Sequence, residues 1–379
     1  MARTMTPRER VLTALHHQEP DRVPTALWGS YYTLQDPTYF NLLRHLGLGD
    51  PVPPFRRFLT KSCNYLDDRV LDRLGTDVRY VWLGFDDLGG ARADTLVDAW
   101  GVRHQRIGSS VYAVGHPLAE ATAEQIAAYA WPQPEQYVNV EQLGERLGML
   151  RSAGRCAIAA RAVASYGPFE QACEMRGREQ FLMDLILDPP LAQLLVDKIT
   201  DVLARLMHIL LDVAGKDLDI IEVPGDDFAG QESLLISPKI FHSLFKPAMR
   251  RIIAPIKQFR RDLLVAFHSD GAIADLLPAF VELGIDLLHP LEPVPANNLS
   301  AIKAQYGQQL AFMGSIDVKK AMTGSLPDLE AEVRARLEAL APGGGYILAP
   351  ANHLQPDVPA ENIVALYRLG RKYGRYPLS

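Results

Sequence analysis

Two histidines and two acids in the second half of the chain, His268, Asp270, Glu292 and His353, are of the types that hold divalent metals through nitrogen and oxygen. His268-Ser269-Asp270 ends the apolar run LLVAFH. Side chains two apart on a strand point the same way, so this imidazole and carboxylate share a face. The same residue types also fit a hydrogen-bonded cluster without an ion, with His268 orienting Asp270 and His353 capping a turn. Other polar groups fall at similar places: Asp226-Asp227 after LDIIEV, Ser165-Tyr166 after CAIAARAV, His289 after IDLL, Ser315 and Asp317 after LAFMG, and Asn352 after GYILAP. One of Asp226 and Asp227 would also serve as a helix N-cap. His289, next to Pro290, reads as a packed loop histidine.

These groups follow short apolar runs, and the runs organise the whole chain. Strands are expected at Thr25–Trp28, Asp77–Leu83, Cys156–Val163, Leu218–Val223, Leu263–His268, Ile285–Leu288, Leu310–Gly314 and Gly345–Pro350. From the third onward each is followed by a helical pattern, as in parallel βαβ units whose strands are buried on both faces. The count of eight predicts a (β/α)8 barrel, with chemistry at the C-terminal ends of the strands. A doubly wound open sheet is the alternative, but no G-x-G-x-x-G follows any strand. Residues 84–135, rich in Asp, Gly and turn residues, read as an insertion over the mouth of a single domain spanning residues 1–379. Thr6-Pro7-Arg8-Glu9 predicts a capping box opening the first helix. A helical stretch from Glu170 to Ala214 is expected to break at Asp188-Pro189-Pro190. His16-His17 reads as a surface pair near a helix end. Gly343-Gly344-Gly345 precedes a strand and reads as a turn, not a phosphate loop.

Composition sets bounds. The chain has 379 residues, 48% hydrophobic, with a formal net charge of -6. It lacks the basic footprint of a nucleic-acid binder and any apolar run of about 18 residues that would span a membrane. Three widely spaced cysteines, Cys63, Cys156 and Cys173, fit reduced thiols, the last two as small buried hydrophobes. With a charged N-terminus and no hydrophobic leader core, a cytoplasmic location is expected.

The runs TPRERVLTALHHQEPDRVP, GPFEQACEMRGREQFLMDLILDPP, DDFAGQ, ISPKIFHSLFKPAMRRI, FHSDGAI, MGSID and PGGGYILAPANHLQPDVPAEN resemble the uroporphyrinogen decarboxylase family over nearly the whole chain. The resemblance implies a (β/α)8 barrel with the active site in its mouth. The family's decarboxylases need no cofactor and carry N-terminal arginines that pair with the substrate's carboxylates. Here the segment TALWGSYYTLQDPTYF has no arginine, and Asp86 lies only near the place of their catalytic Asp. A second branch holds zinc-dependent methyltransferases that work with corrinoid proteins or thiols. The more distant cobalamin-independent methionine synthase has zinc ligands ordered His-x-Cys, Glu, Cys. The order His268-x-Asp270, Glu292, His353, at intervals of 2, 22 and 61 residues, is similar, with both thiolates replaced. Such a site is harder and suited to polarising an oxygen substituent.

The first expectation is therefore a metal-dependent methyltransferase or demethylase acting on a small methylated compound. Zn2+ would sit on His268, Asp270, Glu292 and His353. A separate corrinoid protein would be its partner. Asp227, Asp317 or Tyr166 would protonate the leaving atom. The alternative is a cofactor-free decarboxylase or lyase on a non-porphyrin carboxylate. Asp226 or Asp227 would then stabilise a cationic intermediate and Arg161 would bind the acid. Trp28, Tyr31 and Tyr32, placed after the first strand, would line an apolar substrate pocket or simply pack. A non-catalytic binding subunit that keeps the barrel is the third possibility.

Overall fold

Seven apolar runs pair side by side in one parallel sheet in the computed structural model, which describes residues 4–28, 34–54, 63–85, 95–107, 110–161 and 166–378. The strands, in spatial and chain order alike, are β1 (Val78–Val81), β2 (Ala157–Ala160), β3 (Ile220–Glu222), β4 (Leu264–His268), β5 (Leu287–His289), β6 (Ala311–Ile316) and β7 (Tyr346–Pro350). All are buried along their whole length, which is why they read as continuous apolar runs without alternation.

The expected eighth stave is a single bridge instead of a strand. Thr25 pairs in parallel with Leu348 of β7. The Ala26 N–H donates to Leu348 O at 3.0 Å, and Leu348 N–H donates to Pro24 O at 2.9 Å. On the other side the Asp77 N–H donates to Thr25 O at 2.8 Å. Residues 24–26 thus fill the gap between the last strand and the first, and the sheet closes as a (β/α)8 barrel.

The N-terminal rim is held by a repeated device. Asp77, Asp219 and Asp286 each stand just before a strand and accept a backbone N–H near the start of the preceding stave: Thr25 at 2.8 Å, Ile158 at 3.0 Å and Val265 at 2.7 Å. Each is also paired with a cation. Arg10 and Arg22 reach Asp77 at 2.6 and 2.9 Å, Arg8 reaches Asp219 at 2.8 Å and Lys257 reaches Asp286 at 2.5 Å. This rim does structural work, leaving chemistry to the other one.

Helix α1 (Pro7–Leu15) opens with the expected capping box: Thr6 accepts from the Glu9 N–H at 3.2 Å, and Glu9 accepts from the Thr6 N–H at 2.8 Å. The long helical stretch breaks twice, into α2 (Pro168–Arg176), α3 (Arg178–Leu187) and α4 (Pro189–Ala214). The unexpected break falls at Gly177, whose φ of 86° lies outside the helical region and suits glycine alone. Phe169, Phe181, Phe228 and Phe245 pack edge and tilted against one another, with ring centroids 5.3–6.4 Å apart.

Within 84–135, Thr95–Val97, Arg103–Ile107 and Ser110–Gly115 form a small antiparallel sheet, and Gly84–Phe85 pairs with Val138–Asn139. Gly343, Gly344 and Gly345 all have positive φ and form the turn into β7. Cys173 is buried and Cys156 half-buried, and neither is in a disulfide. Among the described residues no helix is long and apolar enough to cross a membrane.

Candidate active site

Register brings the key side chains together. β4 and β5 pair with His268 opposite His289. Parallel partners point to the same side of the sheet, and the two Nδ1 atoms lie 3.0 Å apart. On its far side His289 Nε2 is 3.2 Å from Pro350 O, at the end of β7. His289 closes β5 as a strand residue, not the loop histidine the sequence suggests, because Pro290 has no N–H to continue the ladder.

The other ring nitrogen of His268 faces two carboxylates. Nε2 lies 3.5 Å from Asp270 Oδ2 and 3.8 Å from Asp227 Oδ1. Asp227 is fixed by the Asp270 N–H, which donates to its Oδ1 at 2.8 Å. Asp270 is fixed by Asn352 Nδ2, which donates to Oδ2 at 2.6 Å. Its second oxygen, Oδ1, is buried with no hydrogen-bond donor among the described residues. Backbone crowding requires glycine nearby: a Cβ at Gly225 would lie 2.8 Å from His268 Cβ, and one at Gly271 would lie 2.5 Å from Gly230 O.

Electrostatics tie these groups into one unit. Burial raises the Asp227 carboxyl to about 6, and the neighbouring Asp270 adds to the rise while His268 opposes it. Its side chain keeps 41% exposure and so opens onto the mouth. Burial pulls His268 down, but Asp270 and Asp227 outweigh it and bring the imidazole up to about 9. Burial and the charge of His268 hold His289 well below its ordinary value. Burial also raises Glu170 to about 7, against the charge of Arg178.

The sequence assignments fare unequally. His268 and Asp270 meet as expected, and Asp227, expected as a proton donor, stands with them. Neither Glu292 nor His353 joins that group among the described residues. Glu292 accepts from the Gly271 N–H at 2.8 Å, from Gln231 at 3.0 Å and from Lys319 at 3.2 Å, so it knots together three loops of the mouth. From the end of β7 it is Asn352 that reaches Asp270, while His353 Nε2 is 3.4 Å from Gln35 Nε2. The reason is local: the chain bends after β7, and the His353 N–H donates to Asn352 Oδ1 at 2.6 Å while Asn352 Nδ2 reaches Asp270.

Asp317 is turned into its own loop, where Oδ1 accepts the N–H groups of Lys319 and Lys320 at 2.7 and 3.0 Å. Asp226 does cap a helix, but not the one that follows it. Its carboxylate accepts the Glu170 and Phe169 N–H groups at 2.8 and 3.2 Å, at the start of α2. Burial raises its pKa well above the usual range in spite of those two donors. A Cβ at Gly167 would lie 2.4 Å from Asp226 Oδ2, so glycine is needed there.

Arg161, expected to bind a substrate acid, lies 2.9 Å from Glu222 and stacks over Trp28 at 4.9 Å. Trp28 is fully buried, edge-on to Tyr80 at 5.4 Å, and its indole N–H has no hydrogen-bond partner among the described residues. Tyr166 is half-buried beside Gly167. Tyr31, Tyr32, Asp86 and Ser165 lie outside the described residues. Sequence reasoning missed Glu222 and Glu170 as parts of the site's surroundings, and marked Asn352 only as a polar residue after the last strand. A lone acid inside an apolar run, as in LDIIEV, was the available signal for Glu222.

A divalent ion fits the donor set. One imidazole nitrogen and two carboxylate oxygens, from Asp227, His268 and Asp270, lie within 4.8 Å of one another. The donorless Asp270 Oδ1 beside them leaves a buried carboxylate oxygen open for a cation.

A closed parallel barrel with a histidine–carboxylate cluster at the C-terminal ends of β3 and β4 is the architecture of a barrel enzyme. The chain belongs to the uroporphyrinogen decarboxylase family, whose model matches residues 103–373. Its fold is similar to that of a methyltransferase from Methanosarcina mazei, with a TM-score of 0.68 and 19% identity over 97% of this chain and 99% of that one. A slighter likeness, TM-score 0.37 and 9% identity, links 99% of this chain to 96% of a glycerophosphoryl diester phosphodiesterase from Parabacteroides distasonis. No match was found among curated proteins.

Proposed function

We propose that the protein is a divalent-metal-dependent methyl-transfer enzyme, demethylating a small methylated compound with a separate corrinoid protein as methyl acceptor. The observation that carries this reading is the convergence of Asp227, His268 and Asp270 at one point of the mouth. These three residues would hold the ion. A divalent ion there supplies Lewis-acid polarisation of the heteroatom that carries the methyl group. With one imidazole and two carboxylates and no thiolate, the set suits an oxygen or nitrogen substituent better than a thiol.

The chain's own residues do the positioning. Asn352 and the Asp270 N–H fix the two carboxylates, and the burial of His268 and His289 keeps water from their rings. The decarboxylase reading has less support. Of its two cation-stabilising candidates Asp226 is committed to the α2 N-terminus and Asp227 stands in the cluster, and the charge of its acid-binding Arg161 is balanced by Glu222. That the Methanosarcina structure is a methyltransferase agrees with the proposal, but the site carries it.

The test is demethylation of a panel of small O- and N-methyl compounds with cob(I)alamin as acceptor, followed by the loss of the cobalt(I) spectrum. Turnover that stops after chelator treatment and returns with added Zn2+ supports the proposal. Chelator-insensitive release of CO2 from a carboxylate, without methyl transfer, would replace it.

A further inference from the structure

Resting on the metal site proposed above, we infer that His289 is a positioning residue: its Nδ1 accepts the His268 Nδ1–H and so leaves the His268 Nε2 lone pair aimed at the ion. The Pro350 carbonyl oxygen can only accept, so His289 Nε2, 3.2 Å away, is the donor and carries a hydrogen. A neutral imidazole has one hydrogen, so Nδ1 of His289 is bare and can only accept. His268 Nδ1 lies 3.0 Å from that bare nitrogen and must supply the hydrogen. Two hydrogens cannot share a gap of that width. Neutral His268 is thereby held as the tautomer whose Nε2 is free, and Nε2 is the nitrogen facing Asp227 and Asp270.

Burial acts in the same direction, since His289 is 1% exposed and a second charge beside His268 is costly away from water. The relay runs from Pro350 O through both rings of His289 and His268 to the cluster. It spans the ends of β7, β5 and β4, so the barrel's own register sets the orientation of the ligand. A ring partner of this kind fixes tautomer and angle and raises the basicity of the ligating nitrogen. His289 touches neither ion nor substrate in this account.

Two substitutions separate positioning from packing. His289→Asn keeps an acceptor oxygen where Nδ1 stands. His289→Leu fills a similar volume with no acceptor. Zn2+ affinity is read by chelator competition on the folded full chain. The expected result is about 10–100-fold weaker binding in His289→Leu, with His289→Asn within a few-fold of wild type. A packing role predicts the opposite order, since an amide is the harder group to bury. The second readout needs no metal: 15N-histidine spectra of the apo protein along an alkaline titration, read where the His268 shifts are those of a neutral ring, with its resonances assigned among ten histidines.

Wild type is expected to carry the His268 proton on Nδ1, and His289→Leu to move it toward Nε2. A wild-type proton on Nε2, or equal Zn2+ affinity in wild type and His289→Leu, overturns the inference. Failure of the wild type to take up Zn2+ would instead sink the functional proposal, and the spectra would still decide the relay. If His289→Leu does not fold, the wild-type and His289→Asn spectra decide it.

Discussion

Arg161 and Glu222 form an ion pair inside the barrel, Nε to Oε2 at 2.9 Å, with their side chains 1% and 5% exposed. They come from the ends of neighbouring strands, and the guanidinium also covers Trp28. Breaking such a pair from one side leaves an uncompensated buried charge. Glu222→Ala is expected to cost about 3–5 kcal/mol in urea unfolding. Replacing both partners, as Arg161→Met with Glu222→Leu, should cost distinctly less. Equal losses in the single and double variants would mean that packing, not charge, sets the cost.

Asp226 holds the start of α2 through two backbone N–H groups. Asp226→Ala is expected to lose about 1–2 kcal/mol by removing the cap. Asp226→Asn should lose less, because the amide oxygen still accepts and no buried charge remains. Chemical denaturation of the two variants checks the order. A larger loss in the Asn variant would show that the charge itself is required.

How much of this was legible in the sequence follows from what fixes each feature. The barrel was legible, because eight apolar runs spaced by helical patterns allow few folds, and even the short stave at Thr25 was marked. The meeting of His268 and Asp270 followed from strand alternation. The place of Asp227 beside them did not, since it depends on a loop hydrogen bond from the Asp270 N–H. The choice of Asn352 over His353 turned on which of two adjacent loop residues faces inward, and spacing alone does not encode that. His289 looked like a loop residue until strand pairing set it against His268.

Glu170 gives a pH signature in stability. Its folded-state pKa is raised from 4.5 to about 7, so the native state keeps a proton that the unfolded chain releases between those values. Stability should therefore fall as pH rises through that window, by at most about 3 kcal/mol at roughly 1.4 kcal/mol per pH unit. In Glu170→Gln the fall should shrink, so that the variant gains on wild type above pH 7 and matches it near pH 4.5. Thermal melts across pH 4–8 measure this. Parallel curves for the two proteins would remove Glu170 from the account.

The porphyrin reaction is expected to be absent. Residues 25–40 hold no arginine to meet the carboxylates of uroporphyrinogen. Each carboxylate buried without a partner costs several kcal/mol. Incubation with uroporphyrinogen and chromatography of the products should show no conversion. Turnover at roughly 1 per second or faster, an ordinary enzymatic rate, would contradict this.

The central claim is that Asp227, His268 and Asp270 hold a divalent ion, and elemental analysis of the purified protein, with no metal added, tests it most directly. The account expects about one equivalent of a divalent ion per chain in the wild type. His268→Ala and Asp270→Ala should lose it while keeping the wild-type circular dichroism spectrum, because both truncations fall at the mouth end of β4 and in its loop and leave the backbone strand pairing intact. Wild-type protein free of metal that also fails to take up Zn2+ on titration, or an ion retained in full by both variants, would contradict the claim.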